Sequence, residues 1–118
     1  MIGIVSFMEI SVGTINEIIV EWETDGAGVA EATTLNHYSG EVIKCIVDPL
    51  STIPPASPFN ITIEDCRGID LLCDKGLALL NNKKTYLNDL GVVAAGCLSF
   101  KITAAGANRK GQAILYIR

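Results

Sequence analysis

Glycine, proline and Asn/Asp clusters break this 118-residue chain at intervals of roughly ten residues, and the runs between them are rich in valine, isoleucine and threonine. β-branched side chains fit a pleated surface and crowd the preceding turn of a helix. Short runs of this kind, punctuated by turn residues, predict an all-β fold. The expected architecture is an antiparallel β-sandwich or a barrel-like jelly-roll or Ig-like domain, with residues 1–118 forming a single sandwich domain.

Residues two apart on a strand share a face, so the pattern of each run predicts its burial. The first run, Ile4 to Val12, ends at Gly13. The second, Ile15 to Glu23, sets Ile18, Val20 and Trp22 on one face and Glu17, Glu21 and Glu23 on the other, with Ile19 breaking the alternation. Trp22 is the candidate central core residue. "TDGAG" is a turn, Val29–Thr34 a short run, and "LNHYSGE" a second reversal in which Gly40 is free to take a positive φ. Val42–Val47 is apolar on both faces except at Lys44, as expected of a strand that is central or touches a neighbouring subunit. Phe59–Glu64 alternates cleanly, with Phe59, Ile61 and Ile63 facing in.

After the turn "DCRG", Ile69–Cys73 is expected as a short second arm and "DKGLALLNN" as a helical turn or loop. One short strand is expected near Thr85–Asn88. Leu98–Thr103 alternates again, "AAGANRKG" reads as a hairpin loop, and Gln112–Ile117 is a closing strand that is apolar on both faces. The last two runs are expected to be hydrogen-bonded neighbours. All four prolines, Pro49, Pro54, Pro55 and Pro58, lie in "DPLSTIPPASP". Proline cannot donate to a ladder, so this is a stiff extended loop. It is either a crossover between two sheets or an arm that lies on a partner.

Hydrophobic residues make up 49% of the chain and charged residues 19%, against about 25% charged in an average domain; the mean hydropathy is +0.38. A small domain has much surface for its volume. The composition fits an alanine- and isoleucine-rich core, or, the reading favoured here, a surface partly covered by other subunits. A net charge of −4 with scattered lysines and arginines argues against a nucleic-acid partner. No run of about 18 apolar residues predicts a membrane span. The apolar start "MIGIVSFMEISV" has no basic leader, the first lysine being Lys44. Secretion is therefore not expected, and Cys45, Cys66, Cys73 and Cys97 are expected to be reduced core residues.

Little in the chain suggests catalysis. The single histidine, His37, sits in a turn. The serines lack a G-x-S-x-G setting, no phosphate-loop pattern is present, and Cys66 and Cys73 are too far apart for a C-x-x-C pair. The acidic stretch Glu64, Asp65, Asp70 is the best candidate for a calcium site, yet its spacing fits no calcium loop. Asp65 and Gly68 instead occupy the first and fourth positions of an ordinary turn. No enzyme, metal or cofactor is expected. A carbohydrate-binding module would need exposed aromatics on one face, and Trp22, Tyr38, Tyr86 and Tyr116 do not line up as one.

The segments "FNITIEDCRGIDLL" and "LGVVAAGCLSFKITAAGANRKGQAILYIR" resemble a group of small virion proteins of tailed bacteriophages. The resemblance runs through Asn60, Thr62, Asp65, Gly68, Ile69 and Asp70, then Gly106, Lys110, Gly111, Leu115, Tyr116, Ile117 and Arg118. "IIVEWETDGAGVAEATT" and "SGEVIKCIVDP" are similar to the first half of such chains, so the resemblance covers most of the length. The chain departs from the group at Asn60, where aspartate is usual, and in its four cysteines. The resemblance implies a non-enzymatic capsid decoration (cement) protein on the virion surface, made in the host cytoplasm. Its partners would be the major capsid protein and itself, as a homotrimer or other homo-oligomer, with no nucleic acid or membrane. A head–tail connector or tail component is the alternative. Expected contact residues are Met1, Ile2, Ile4, Phe7 and Met8 in the first run, and Pro49, Leu50, Ile53, Pro54, Pro55 and Pro58 in the proline loop.

Overall fold

The computed structural model describes residues 4–34, 36–49, 55–56, 58–73, 75–81 and 83–118, and at positions 12 and 89–93 the backbone only. Among the described residues there are eight strands: β1 (Ile4–Val12), β2 (Ile15–Glu23), β3 (Ala30–Thr33), β4 (Tyr38–Asp48), β5 (Asn60–Glu64), β6 (Thr85–Gly96), β7 (Ser99–Thr103) and β8 (Lys110–Ile117). They form a five-stranded sheet, ordered β1-β2-β8-β4-β6, and a three-stranded sheet, ordered β3-β7-β5, both antiparallel. The protein is an all-β sandwich. No helix among the described residues is long and apolar enough to cross a membrane.

β1 and β2 form a hairpin in which Val12 pairs Ile15, and Gly13 takes φ +61° at the first loop position, where a two-residue connection favours glycine. Every connection after it passes from one sheet to the other. The chain beyond β5 returns alongside it in broken fashion. Glu64 and Asp70 form a bridge, Leu71 N–H donates to Ile63 O at 2.7 Å, Ile61 N–H to Gly76 O at 2.8 Å, and Phe59 and Leu79 exchange both backbone bonds. These isolated bridges and single hydrogen bonds give the smaller sheet a partial fourth position without a strand. With β2-β8-β4-β6 facing it, the path is that of a jelly roll.

The core lies between the sheets. The larger sheet contributes Ile18, Val20, Trp22, Val42, Cys45, Val47, Leu115 and Ile117, and the smaller contributes Phe59, Ile61, Ile63, Phe100 and Ile102, all buried. Each large apolar side chain so enclosed contributes roughly 1.5–3 kcal/mol. A bulge at Ile43 decides the facing of β4. Without the extra residue, Val42, Lys44 and Ile46 would share a face, and the Lys44 charge would enter the core. The bulge turns Cys45 and Val47 inward beside Val42 instead, and Lys44 and Ile46 outward.

Several expectations need correction. Leu98–Thr103 and Gln112–Ile117 are not neighbours: β7 lies between β3 and β5, and β8 between β2 and β4. Their connection contains Ala104, Gly106 and Asn108, all at positive φ, and carries the chain across the sandwich rather than back along the same sheet. β6 spans twelve residues rather than the short Thr85–Asn88 run. Ile69–Cys73 is a single bridge followed by a turn, not a strand. Only Cys45 is a core cysteine; Cys66 and Cys73 are exposed and Cys97 half-buried.

Candidate assembly interface

The outer faces of the two sheets differ in kind. On the three-stranded sheet, Glu31 pairs Lys101 and Lys101 pairs Thr62, while Thr33 pairs Ser99 and Ser99 pairs Glu64. The outward residues of these three strands are polar, with the Thr33 and Ser99 hydroxyls 3.1 Å apart, while the return segment beside β5 exposes Ile69, Leu77 and Leu80. On the five-stranded sheet, one row of register partners crosses all five strands: Met8 to Ile19, Ile19 to Ile114, Ile114 to Ile46 and Ile46 to Tyr86. Every member is apolar or aromatic and points away from the core. Met8 is 58% exposed and Tyr86 54%, with the three isoleucines half-buried between them. At strand spacings of about 4.8 Å the row is about 19 Å long.

The rows on either side are polar or mixed. One runs Ile10, Glu17, Tyr116, Lys44, Asn88; the other runs Ser6, Glu21, Gln112, Asp48. Lys44 Nζ sits 5.4 Å from the Tyr86 ring centroid, a cation–π contact that holds the ammonium beside the apolar row. Glu17, Glu21 and Lys44 form no ion pair among the described residues, whereas Asp48 is bridged by Lys84 at 4.0 Å. A groove of about 370 Å³ opens next to the row, lined on this face by Ile4, Ser6, Glu21, Glu23, Lys110 and Gln112.

The expected contact residues scatter over this frame. Ile4 and Met8 lie on the outer face, and Ile4 is 57% exposed. Phe7 faces the other way and packs on Phe100, with ring centroids 5.3 Å apart. Pro49 and Pro55 are buried and Pro58 is exposed. Pro55 O accepts from Asn81 Nδ2 at 2.7 Å, and the neighbouring Ala56 N–H donates to Ala105 O at 2.7 Å. Met1, Ile2, Leu50, Ile53 and Pro54 lie outside the described residues. Ile19, Ile114, Ile46 and Tyr86 are absent from the sequence-based set. Their signal is present in the chain all the same: Ile19 breaks the β2 alternation, and the runs containing Ile46 and Ile114 are apolar on both faces.

The acidic stretch is a turn. Gly68 N–H donates to Asp65 O at 3.0 Å, and the buried Asp65 carboxylate accepts from Arg67 N at 2.9 Å, Ile69 N at 3.3 Å and Arg67 Nη2 at 2.6 Å. Burial pushes this carboxyl's pKa up, but the Arg67 guanidinium and the two N–H groups outweigh it and hold the pKa below the ordinary value. Asp70 Oδ1 accepts from Leu72 N at 3.1 Å. Among the described residues, no three His, Cys, Asp or Glu side chains are grouped so as to hold a metal ion.

No protein-family model, curated protein or solved structure matches this chain.

A polar cleft of about 410 Å³ at one end of the sandwich gathers Glu9, Ser11, Asn16, Asn36, His37 and Tyr38. Within it Tyr38 donates its hydroxyl to Glu9 Oε1 at 2.5 Å, and Ser11 donates to Asn16 Oδ1 at 2.7 Å. The outer face of the five-stranded sheet, with its unbroken apolar row, is the surface best suited to a partner.

Proposed function

We propose that this protein is a non-enzymatic structural protein of a bacteriophage virion, a capsid decoration protein that binds the shell formed by the major capsid protein and stabilises it. The observation that carries the assembly part of this reading is the row Met8–Ile19–Ile114–Ile46–Tyr86 on a solvent-facing sheet, opposite a sheet whose three strands turn polar residues outward. Water on an unbroken apolar strip across five strands is unfavourable, and a protein partner relieves it. The capsid part rests on the resemblance of the segments around Asn60–Asp70 and Gly106–Arg118 to small virion proteins.

A carbohydrate-binding role is less well supported, because Trp22 and Tyr38 are buried and leave only Tyr86 and Tyr116 toward solvent on the five-stranded sheet. The test is copy number. Particles carrying the chain are purified and the chain is quantified by mass spectrometry against the major capsid protein. A ratio of one, or a simple fraction of one, is expected for a decoration protein. A handful of copies per particle would instead identify a head–tail connector or tail component.

A further inference from the structure

Building on the reading of the five-stranded sheet as an assembly surface, we propose that its outer face is covered by a second copy of this chain, packed face to face about a two-fold axis along β8. β8 is the middle strand of the five. An in-plane axis along it lays β8 on the partner's β8, β2 over the partner's β4 and β1 over the partner's β6. In the apolar row, Ile114 then meets the partner's Ile114, Ile19 meets the partner's Ile46, and Met8 meets the partner's Tyr86. In the next row Glu17 stands over the partner's Lys44, and symmetry makes that pair twice.

Charge selects this axis. Glu17 and Lys44 flank Tyr116 at equal strand distances from β8, with opposite signs and no ion pair among the described residues. The other in-plane axis, along the apolar row, would set Glu17 against the partner's Glu21 and Lys44 over the partner's Asp48, whose charge Lys84 already offsets, so that the repulsion between the two glutamates would go uncompensated. Along β8, Glu21 stands over the partner's Asp48, where Lys84 at 4.0 Å from Asp48 supplies the countercharge.

Size agrees. Five strands at about 4.8 Å and about eight paired residues at about 3.3 Å give a face of about 600 Å² per copy. That is close to a tenth of the 5950 Å² surface of the chain. Two copies would bury about 1,200 Å², within the range of specific interfaces. Sheets packed this way keep their strands within about 30° of one another, which leaves the central rows in contact.

The experiment is sedimentation equilibrium of the purified chain, wild type and variants. The wild type is expected at twice the 12.6 kDa chain mass at about 50 μM, as a micromolar dimer requires. Ile114→Lys is expected to be a monomer with an unchanged far-ultraviolet spectrum. Lys44→Glu and Glu17→Lys are each expected to weaken the dimer about tenfold, and the double swap to regain most of that loss. The swap keeps the proposal falsifiable if Ile114→Lys misfolds. A monomeric wild type, a trimer, or a double swap no stronger than its parents overturns the proposed dimer. A monomer that still coats particles leaves the decoration reading standing, whereas a dimer that coats none refutes that reading and keeps the interface.

Discussion

The indole of Trp22 lies against the bare backbone of Gly111, its register partner on β8. A methyl group on Gly111 would overlap the six-membered ring of the indole. The ring also meets Phe59, with centroids 6.3 Å apart. Trp22 Nε1 is buried with no hydrogen-bond partner among the described residues, so shape rather than hydrogen bonding holds the ring. Gly111→Ala is therefore expected to destabilise the fold by about 1–3 kcal/mol. Urea unfolding should show a lower midpoint at an unchanged slope. Trp22 is the only tryptophan, so its fluorescence reports the displaced ring directly. An unchanged midpoint would mean that the ring swings aside without loss.

Thr24 ties the β2–β3 turn to the β7–β8 crossover. Its buried hydroxyl donates to Gly106 O at 2.7 Å and accepts from Arg109 N at 2.8 Å, while its own N–H donates to Arg109 O at 2.8 Å. Thr24→Val removes the hydroxyl and leaves two backbone groups short of a partner, so a loss of about 1–3 kcal/mol is expected. The surface substitution Thr33→Val should stay within about 0.5 kcal/mol and serves as the control. Equal melting temperatures for the two variants would contradict this role.

Asp65 makes the fold acid-sensitive. Its folded pKa lies below the ordinary 3.8, so its contribution to stability is complete above that value and is lost as pH falls through the folded value. Asp65→Asn should be less stable at neutral pH and should lose less on acidification below about 3.8. Urea midpoints measured at descending pH separate the two proteins; parallel acid limbs would show that the turn carboxylate contributes nothing to them.

Tyr38 acts at the other end of the scale. Burial, then the hydrogen bond to the Glu9 carboxylate, pushes its phenol up to about 12 from 10.0. The neutral phenol is the form that fits, so its contribution is complete below about 10 and is lost as pH rises toward 12. Ultraviolet titration should find one of the three tyrosines titrating late. Tyr38→Phe should abolish that late step and flatten the alkaline limb of stability. A late step that survives the substitution would assign it to another tyrosine.

The cysteines should separate by reactivity. Cys45 is fully enclosed and its thiol is pushed up to about 12 by burial, whereas Cys66 and Cys73 are exposed. An aromatic disulfide reagent should modify Cys66 and Cys73 first and Cys45 only after unfolding. Mass mapping that found Cys45 among the early sites would be inconsistent with its enclosure.

Some of this is legible in the chain. The limits of β1 and β2 follow from alternation and from Gly13, because a two-residue hairpin is a local event. β6 is not legible beyond its start, since "LGVVAAG" is rich in glycine and alanine, which have weak strand preference. Its pairing along β4, from Tyr38 with Gly96 to Val47 with Thr85, supplies what propensity lacks. Burial of the cysteines is misjudged for a related reason. Cys66 and Cys73 sit beside apolar runs, yet each lies in a turn and is exposed there, Cys66 with its Sγ donating to Ala95 O at 3.0 Å. Of the candidate surface, Ile4 and Met8 are visible as an apolar leading strand, while Ile19, Ile46 and Ile114 appear only as breaks in pattern.

The sequence by itself determines that the chain is all-β, where most strands lie and which residues of β2, β5 and β7 face inward. These are properties of period-two alternation and turn chemistry, and both act within a few residues. Only the tertiary structure decides which strands are neighbours. A backbone ladder forms equally well between any two strands, so the choice rests on crossovers and on packing between residues far apart in the chain. That choice sets Ile114 between Ile19 and Ile46. The bulge at Ile43 completes it, turning Ile46 outward, where a regular strand would have brought Val47 out and taken Lys44 into the core.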